Sequence, residues 1–256
     1  MKPQLFIHVG LHRTGNSFWQ QEVFPKLKNT SFLQGPKVNY YLRRLTSEED
    51  IAFDPSTYSD YFYPIIEQGN SIISYEGLSG EPFLLYVNQV RTVDRLAKIF
   101  PDATILLGIR RQDAMLLALH LRFIMQGGSS SLSKFVGYDK GKFIGQRISL
   151  YGRRVNLPMF QFDGITDLFA SRFRGRIHIL VYESLRDDTA GCVSTMCNFL
   201  REPTPPKFTD DILTREFGFY QLAITRMLNP FVTSSMNPDG LIPYIRVRNG
   251  IKRPVT

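Results

Sequence analysis

The stretch Gly10-Leu11-His12-Arg13-Thr14-Gly15-Asn16-Ser17 concentrates more reactive chemistry than any other part of this 256-residue chain. It follows a short apolar run, Leu5–Val9, and precedes an amphipathic segment, Ser17–Phe24. That order reads as strand, tight loop and helix, with several backbone N–H groups gathered at a helix N-terminus. Unpaired N–H groups and the positive end of the helix dipole point the same way there, so the loop suits an anion. The spacing Gly10-x4-Gly15-x-Ser17 nearly reproduces the phosphate-binding P-loop, Gly-x4-Gly-Lys-Ser/Thr. The lysine position holds Asn16, and a cation sits instead at Arg13 inside the loop. A loop of this kind suits a phosphate-bearing ligand other than a Mg²⁺-bound triphosphate.

Three further apolar runs end in polar residues. Ser71–Tyr75 is followed by Glu76, Thr104–Ile109 by Arg110-Arg111-Gln112-Asp113, and Ile177–Val181 by Tyr182-Glu183-Ser184. In open α/β sheets, ligands bind outside the carboxyl ends of the strands, which is where these residues fall. Arg110 adds a second cationic position, so a ligand lying along that edge would carry two separated anionic groups. Tyr182 offers a ring to a base or sugar. Glu76 is a candidate general base, or else caps a helix or pairs with a nearby arginine. His12 is placed to touch a ligand, whereas His8 reads as a core histidine inside the first strand. Arg111 either meets the ligand or pairs locally with Asp113, and Trp19 reads as core packing.

Four apolar runs must position these groups, and helical patterns separate them. Val90–Phe100 has apolar residues at helical spacing and stops at Pro101. Asp113–Met125 is apolar on most faces and reads as a buried helix, and Ile165–Phe173 as a short amphipathic one. Alternating strands and helices predict an α/β fold whose central parallel sheet is covered on both faces. Residues 29–70, rich in aromatics, and residues 127–152, opening Gly-Gly-Ser-Ser-Ser, lack clear periodicity. Both read as insertions on the acceptor side of a single domain spanning residues 1–256, with a basic tail over residues 246–256.

Together, the loop, the Arg110 segment and the Tyr182 segment resemble the sulfotransferases that use 3′-phosphoadenosine 5′-phosphosulfate, especially their bacterial carbohydrate-type branch. Gly10–Gly15 is similar to that family's 5′-phosphosulfate loop, usually Lys-Thr-Gly-Thr-Thr. Arg110-Arg111-Gln112-Asp113 is similar to its 3′-phosphate motif, and Val181-Tyr182-Glu183-Ser184-Leu185 to its strand-end segment beside the adenine. The resemblance implies a three-layer, P-loop-NTPase-like fold and transfer of a sulfuryl group to an acceptor hydroxyl, on a saccharide or glycoconjugate, with no metal. Arg13 takes the place of the loop lysine beside the bridging oxygen, and Thr14, Gly15, Asn16 and Ser17 surround the 5′-phosphate. Arg110 holds the 3′-phosphate, with Arg248 in the tail as a second cation, and Tyr182 lies against adenine. Glu76 supplies the base, and His12 in the loop is a further catalytic candidate. The family's two loop hydroxyls fall on Asn16 and Ser17, and its 3′-phosphate serine falls on Ala118, which offers no hydrogen bond.

Composition bounds the reading without deciding it. Lys and Arg number 31 against 23 Asp and Glu, a net charge of +8 that fits an anionic partner. The cations are scattered outside the tail, and no nucleic-acid-binding motif is present. No apolar run approaches the roughly 20 residues of a membrane span, and Leu5–Val9 is too short for a signal-peptide core. Cys192 and Cys197 lie five apart on an expected helix, a poor spacing for a bridge, so they read as buried thiols of a reducing, cytoplasmic-type compartment. Two other functions fit parts of the pattern. One is a P-loop kinase, which lacks its lysine and a strand-end aspartate for Mg²⁺. The other is a nucleotide-binding module that has lost catalysis.

Overall fold

In a computed structural model, the structure describes residues 3–84, 86–143, 155, 157–209, 219–234, 237–242, 244–246 and 252–254. The chain divides into two compact units, Met1–Arg111 with Asn156–Thr214, and Gln112–Val155 with Arg215–Thr256. In chain order the elements are β1 (Leu5–His8), α1 (Asn16–Phe18), β2 (Ser31–Leu33), α2 (Pro36–Ser47), α3 (Pro55–Ile66), β3 (Ser71–Ser74), α4 (Gln89–Ile99), β4 (Thr104–Ile109), α5 (Gln112–Met125), α6 (Leu132–Phe135), β5 (Tyr138–Asp139), β6 (Lys142–Phe143), α7 (Phe162–Ala170), β7 (Ile177–Val181), α8 (Tyr182–Asp187), α9 (Thr189–Leu200), α10 (Phe219–Leu228), β8 (Tyr244–Arg246) and β9 (Lys252–Pro254).

The first unit is built on a five-stranded sheet in the order β2-β3-β1-β4-β7, parallel throughout. Side chains alternate between the two faces of a strand, and in the central strands β3, β1 and β4 both faces are sealed, whereas the edge strand β7 leaves Ile179 and Val181 exposed. On one face Phe6, Ile72 and Leu106 pack with Phe18, Trp19 and Phe24 from the segment after the loop and with Val193, Met196 and Leu200 of α9. On the other, Ile7, Ile73, Ile105 and Leu107 are wholly buried. Sealing of both faces is why these strands read as near-continuous apolar runs. The four expected strands are present, Leu5–Val9 and Ser71–Tyr75 each ending one residue earlier than the runs.

The sheet also contains a strand the sequence reading left out. β2 is three residues long, its side chains exposed or half-buried, and it forms one edge. Residues 29–70, in which the sequence shows no clear periodicity, are largely helical. α2 buries Val38, Leu42 and Leu45, and α3 buries Tyr58, Phe62 and Ile66. Those positions are spaced as one helical face, but the surrounding tyrosines and an internal Pro64 obscure it. Past the loop, α1 gives way to a π-helical turn over Trp19–Val23 and a 3₁₀ turn over Phe24–Lys26.

In the second unit, α5 is buried only on one side. Met115, Ala118, Leu119, Phe123 and Ile124 are covered while Leu117 is 51% exposed, so the helix expected to be buried is buried along one face. Asn229, after α10, donates to the carbonyls of Ile124 and Gly128, both at 2.7 Å, and so ties the end of α10 to the end of α5. Residues 132–143 form α6 and the β5–β6 hairpin, and the tail forms an antiparallel β8–β9 pair. The rest of the 127–152 segment, from residue 144, lies outside the described residues, as does Arg248.

Candidate active site at the carboxyl edge of the sheet

Strands β3, β1, β4 and β7 are neighbours, so the residues that follow them share one edge. From β1 the chain runs out to β2 on one side, and from β4 it passes to β7 on the other. The crevice between β1 and β4 is therefore a topological switch point. The loop after β1 is tied to β4 by Leu11 N–H donating to Gly108 O at 3.0 Å. Gly108 leaves space for Thr14, since a Cβ on residue 108 would stand 2.5 Å from Thr14 Oγ1. Gly15 has φ +85° and lies against α8, where a Cβ would meet Leu185 at 2.9 Å and Tyr182 at 3.3 Å.

Inside this frame the loop residues divide by role. Thr14 and Asn16 are 2% exposed, and their side chains turn inward. Thr14 Oγ1 and Asn16 Nδ2 both donate to Leu11 O, at 2.6 and 2.8 Å. They brace the loop from within, so the Asn16 amide occupies itself with the backbone. Arg13 and Ser17 are exposed, and Arg13 adopts a left-handed backbone with φ 70°. The backbone N–H groups of Thr14, Gly15, Asn16 and Ser17 have no hydrogen-bond acceptor among the described residues. Four such donors on a braced loop form an anion-binding concavity.

Arg110, at the end of β4, borders the loop. Its Nη1 donates to Arg13 O at 3.1 Å, and its guanidinium lies 4.1 Å from the centroid of the Tyr182 ring. Its Nε is buried with no hydrogen-bond partner among the described residues, and no carboxylate among them forms an ion pair with it. A stacked, unneutralised guanidinium beside four N–H donors suits a second anionic group. Glu183 accepts from Arg111 N at 3.1 Å, locking α8 to the end of β4. That is a structural task.

On the β3 side, Glu76 opens a short 3₁₀ turn, and its carboxylate lies 3.8 Å from Nε2 of the buried His12. Their proximity follows from the β1–β3 register, which sets His8 beside Ser74. His8 is 1% exposed, and burial lowers its pKa to about 4, with the charge of Glu76 opposing the shift. It is therefore neutral, and its Nδ1 lies 2.7 Å from Ser74 Oγ, which also accepts from Gln20 Nε2 at 2.9 Å. The sequence reading missed this polar cluster, because only the strand register reveals that His8 and Ser74 are neighbours. Trp19 is core, 2% exposed, as read. Among the described residues no group of three or more His, Cys, Asp or Glu is arranged to hold a metal, and no helix is long and apolar enough to cross a membrane.

Comparison with solved structures finds a sulfotransferase from Alicyclobacillus acidocaldarius at TM-score 0.52, with 13% identity, covering 89% of this chain and 95% of that one. The chain has a sulfotransferase-like fold. The sulfotransferase domain of the curacin biosynthetic pathway aligns at TM-score 0.36 with 14% identity over 87% of this chain and 82% of that one. A thymidylate kinase from Candida albicans aligns at TM-score 0.35 with 13% identity over 81% and 98%. No protein-family model and no curated protein matches the chain. The P-loop-like architecture expected from the sequence, a parallel sheet flanked by helices, is thus present.

Proposed function

We propose that this protein is a sulfotransferase that moves a sulfuryl group from 3′-phosphoadenosine 5′-phosphosulfate to an acceptor hydroxyl. The observation that carries the reading is the pair of anion positions at the switch point: four open N–H donors at Thr14–Ser17, and the unneutralised Arg110 stacked on Tyr182. The donor's 5′ and 3′ anionic groups match that pair, and its bound form supplies an activated sulfuryl group. The loop N–H groups hold the 5′-phosphate, Arg110 the 3′-phosphate, and Tyr182 faces the adenine. As the acceptor oxygen bonds to sulfur, its proton passes to Glu76, and the sulfur–oxygen bond to the phosphate breaks. Arg13 balances the charge that gathers on that leaving oxygen. His12 orients the Glu76 carboxylate.

A saccharide or glycoconjugate is the acceptor class we favour. The segment between β2 and β3 is rich in aromatics, among them Tyr40, 58% exposed, whose ring is open to stack on a sugar. We place the protein in a reducing, cytoplasmic-type compartment, with Cys192 and Cys197 kept as thiols.

Thermal unfolding with adenosine 3′,5′-bisphosphate, against Mg²⁺-ATP, tests the donor site. A ligand at about 100 times its Kd adds roughly 2.7 kcal/mol of stability. Stabilisation by the bisphosphate alone supports the reading; stabilisation by Mg²⁺-ATP alone replaces it with a kinase. In a turnover assay, Arg13→Ala should lose about 10²–10³-fold in kcat, and unaltered turnover would refute the role given to Arg13.

A further inference from the structure

The polar cluster under the site contains one donor that the protein leaves unused. Ser74 Oγ has two neighbours, Gln20 Nε2 and His8 Nδ1. Gln20 donates to it, and we assign the single hydroxyl proton of Ser74 to His8 Nδ1, an assignment under which His8 is the Nε2-protonated tautomer. His8 Nε2 is buried and has no acceptor among the described residues. A buried N–H without an acceptor is costly, and proteins keep few of them. Glu76 stands two residues beyond Ser74, the strand partner of His8, and Tyr75 N–H donates to His8 O at 3.1 Å, pinning the segment that carries Glu76 to the end of β1.

We propose that His8 is a positioning residue for Glu76: a neutral imidazole, its tautomer set through Ser74 by Gln20, whose buried Nε2–H is the donor for the Glu76 carboxylate in the working site. The carboxylate then answers to two imidazoles, His8 from the strand and His12 from the loop. The hydrogen bond keeps the Glu76 carboxylate aimed while the acceptor approaches, and His8 itself touches no substrate. In catalytic terms the inference rests on the reading of Glu76 as the base.

Two measurements on the full chain test it, and the first is independent of any activity. In ¹⁵N-histidine-labelled protein, long-range ¹H–¹⁵N spectra should show His8 neutral and protonated at Nε2 at pH 7. Its Nε2–H resonance should move on Glu76→Gln. A ring protonated at Nδ1, or an Nε2–H indifferent to Glu76→Gln, overturns the proposal. The second is kinetic. His8→Asn keeps a polar atom toward Ser74 but removes the Nε2 donor, while His8→Gln restores a donor near the Nε2 position. With adenosine 3′,5′-bisphosphate affinity unchanged, His8→Asn should lower kcat on the order of tenfold while the acceptor KM holds. His8→Gln should recover most of kcat. Turnover alike in the wild type and both variants, or lost equally in both, would assign His8 to folding alone and overturn the proposal. Absence of sulfuryl transfer from the wild type would refute the proposed function, and the spectra would still decide whether His8 serves Glu76.

Discussion

Gly108→Ala tests the coupling between β4 and the loop. The new Cβ would stand 2.5 Å from Thr14 Oγ1 and 3.1 Å from Thr14 Cβ, where carbon contacts normally begin near about 3.5 Å. Thr14 must retreat by roughly 1 Å, yet it is buried and held to Leu11 O at 2.6 Å. Overpacking of this kind costs about 1–3 kcal/mol, and straining the Thr14 hydrogen bond adds up to about 1 kcal/mol. Thr14→Ala alone should cost about 1 kcal/mol through the lost hydrogen bond. Because it removes the hydroxyl that the new methyl group strikes, the double variant should be more stable than the sum of the two by at least about 1 kcal/mol. Urea denaturation of the four proteins measures this directly, and each kcal/mol should appear as about 2–4 °C in Tm for a chain of this size. The retreat of Thr14 also displaces the neighbouring N–H groups. Affinity of Gly108→Ala for adenosine 3′,5′-bisphosphate should therefore fall at least about tenfold, or 1.4 kcal/mol. Strictly additive stabilities, or a Gly108→Ala protein with unchanged stability and binding, would refute the packing argument.

Two further outcomes follow from buried polar groups. The folded-state pKa of His8 is depressed to about 4, so the unfolded chain takes up this proton first as pH falls. The stability this gives is complete above about pH 6.5 and drains away between 6.5 and 4, amounting to about 3 kcal/mol; His8→Asn should flatten that part of the stability–pH curve. Arg95, 3% exposed in α4, donates to Leu45 O at 3.0 Å and Glu48 O at 2.8 Å and pairs with Asp50. Arg95→Met should cost about 2–4 kcal/mol in urea denaturation by stranding those carbonyls, and a loss under about 0.5 kcal/mol would show that water replaces the guanidinium.

The parallel sheet was legible because each central strand is sealed on both faces and so reads as an unbroken apolar run, as in Ile72-Ile73 or Ile105-Leu106-Leu107. β2 escaped because it is three residues long and opens on an exposed serine, leaving only Phe32-Leu33 as an apolar run. The helical face of α2, Val38-Leu42-Leu45, was present in the sequence but masked by Tyr40 and Tyr41 on its other sides. At the site, residue types at strand ends told where polar groups would gather. They did not tell which would face outward. Asn16 and Thr14 look like ligand contacts by spacing, yet each satisfies Leu11 O, a backbone acceptor that only the folded loop presents. The approach of His12 to Glu76, 64 positions apart in sequence, needed the strand pairing itself.

The left-handed backbone of Arg13 has a consequence for engineering. A side chain with a Cβ gives up about 1–2 kcal/mol in that conformation, and glycine or asparagine would hold the same turn with less strain. Tyr86, Lys140 and Arg201 share that region of backbone space, so the strain at φ 70° is a cost and assigns no role by itself. Stabilisation schemes that rank substitutions by backbone fit would replace Arg13, gaining a sturdier loop at the expense of that cation.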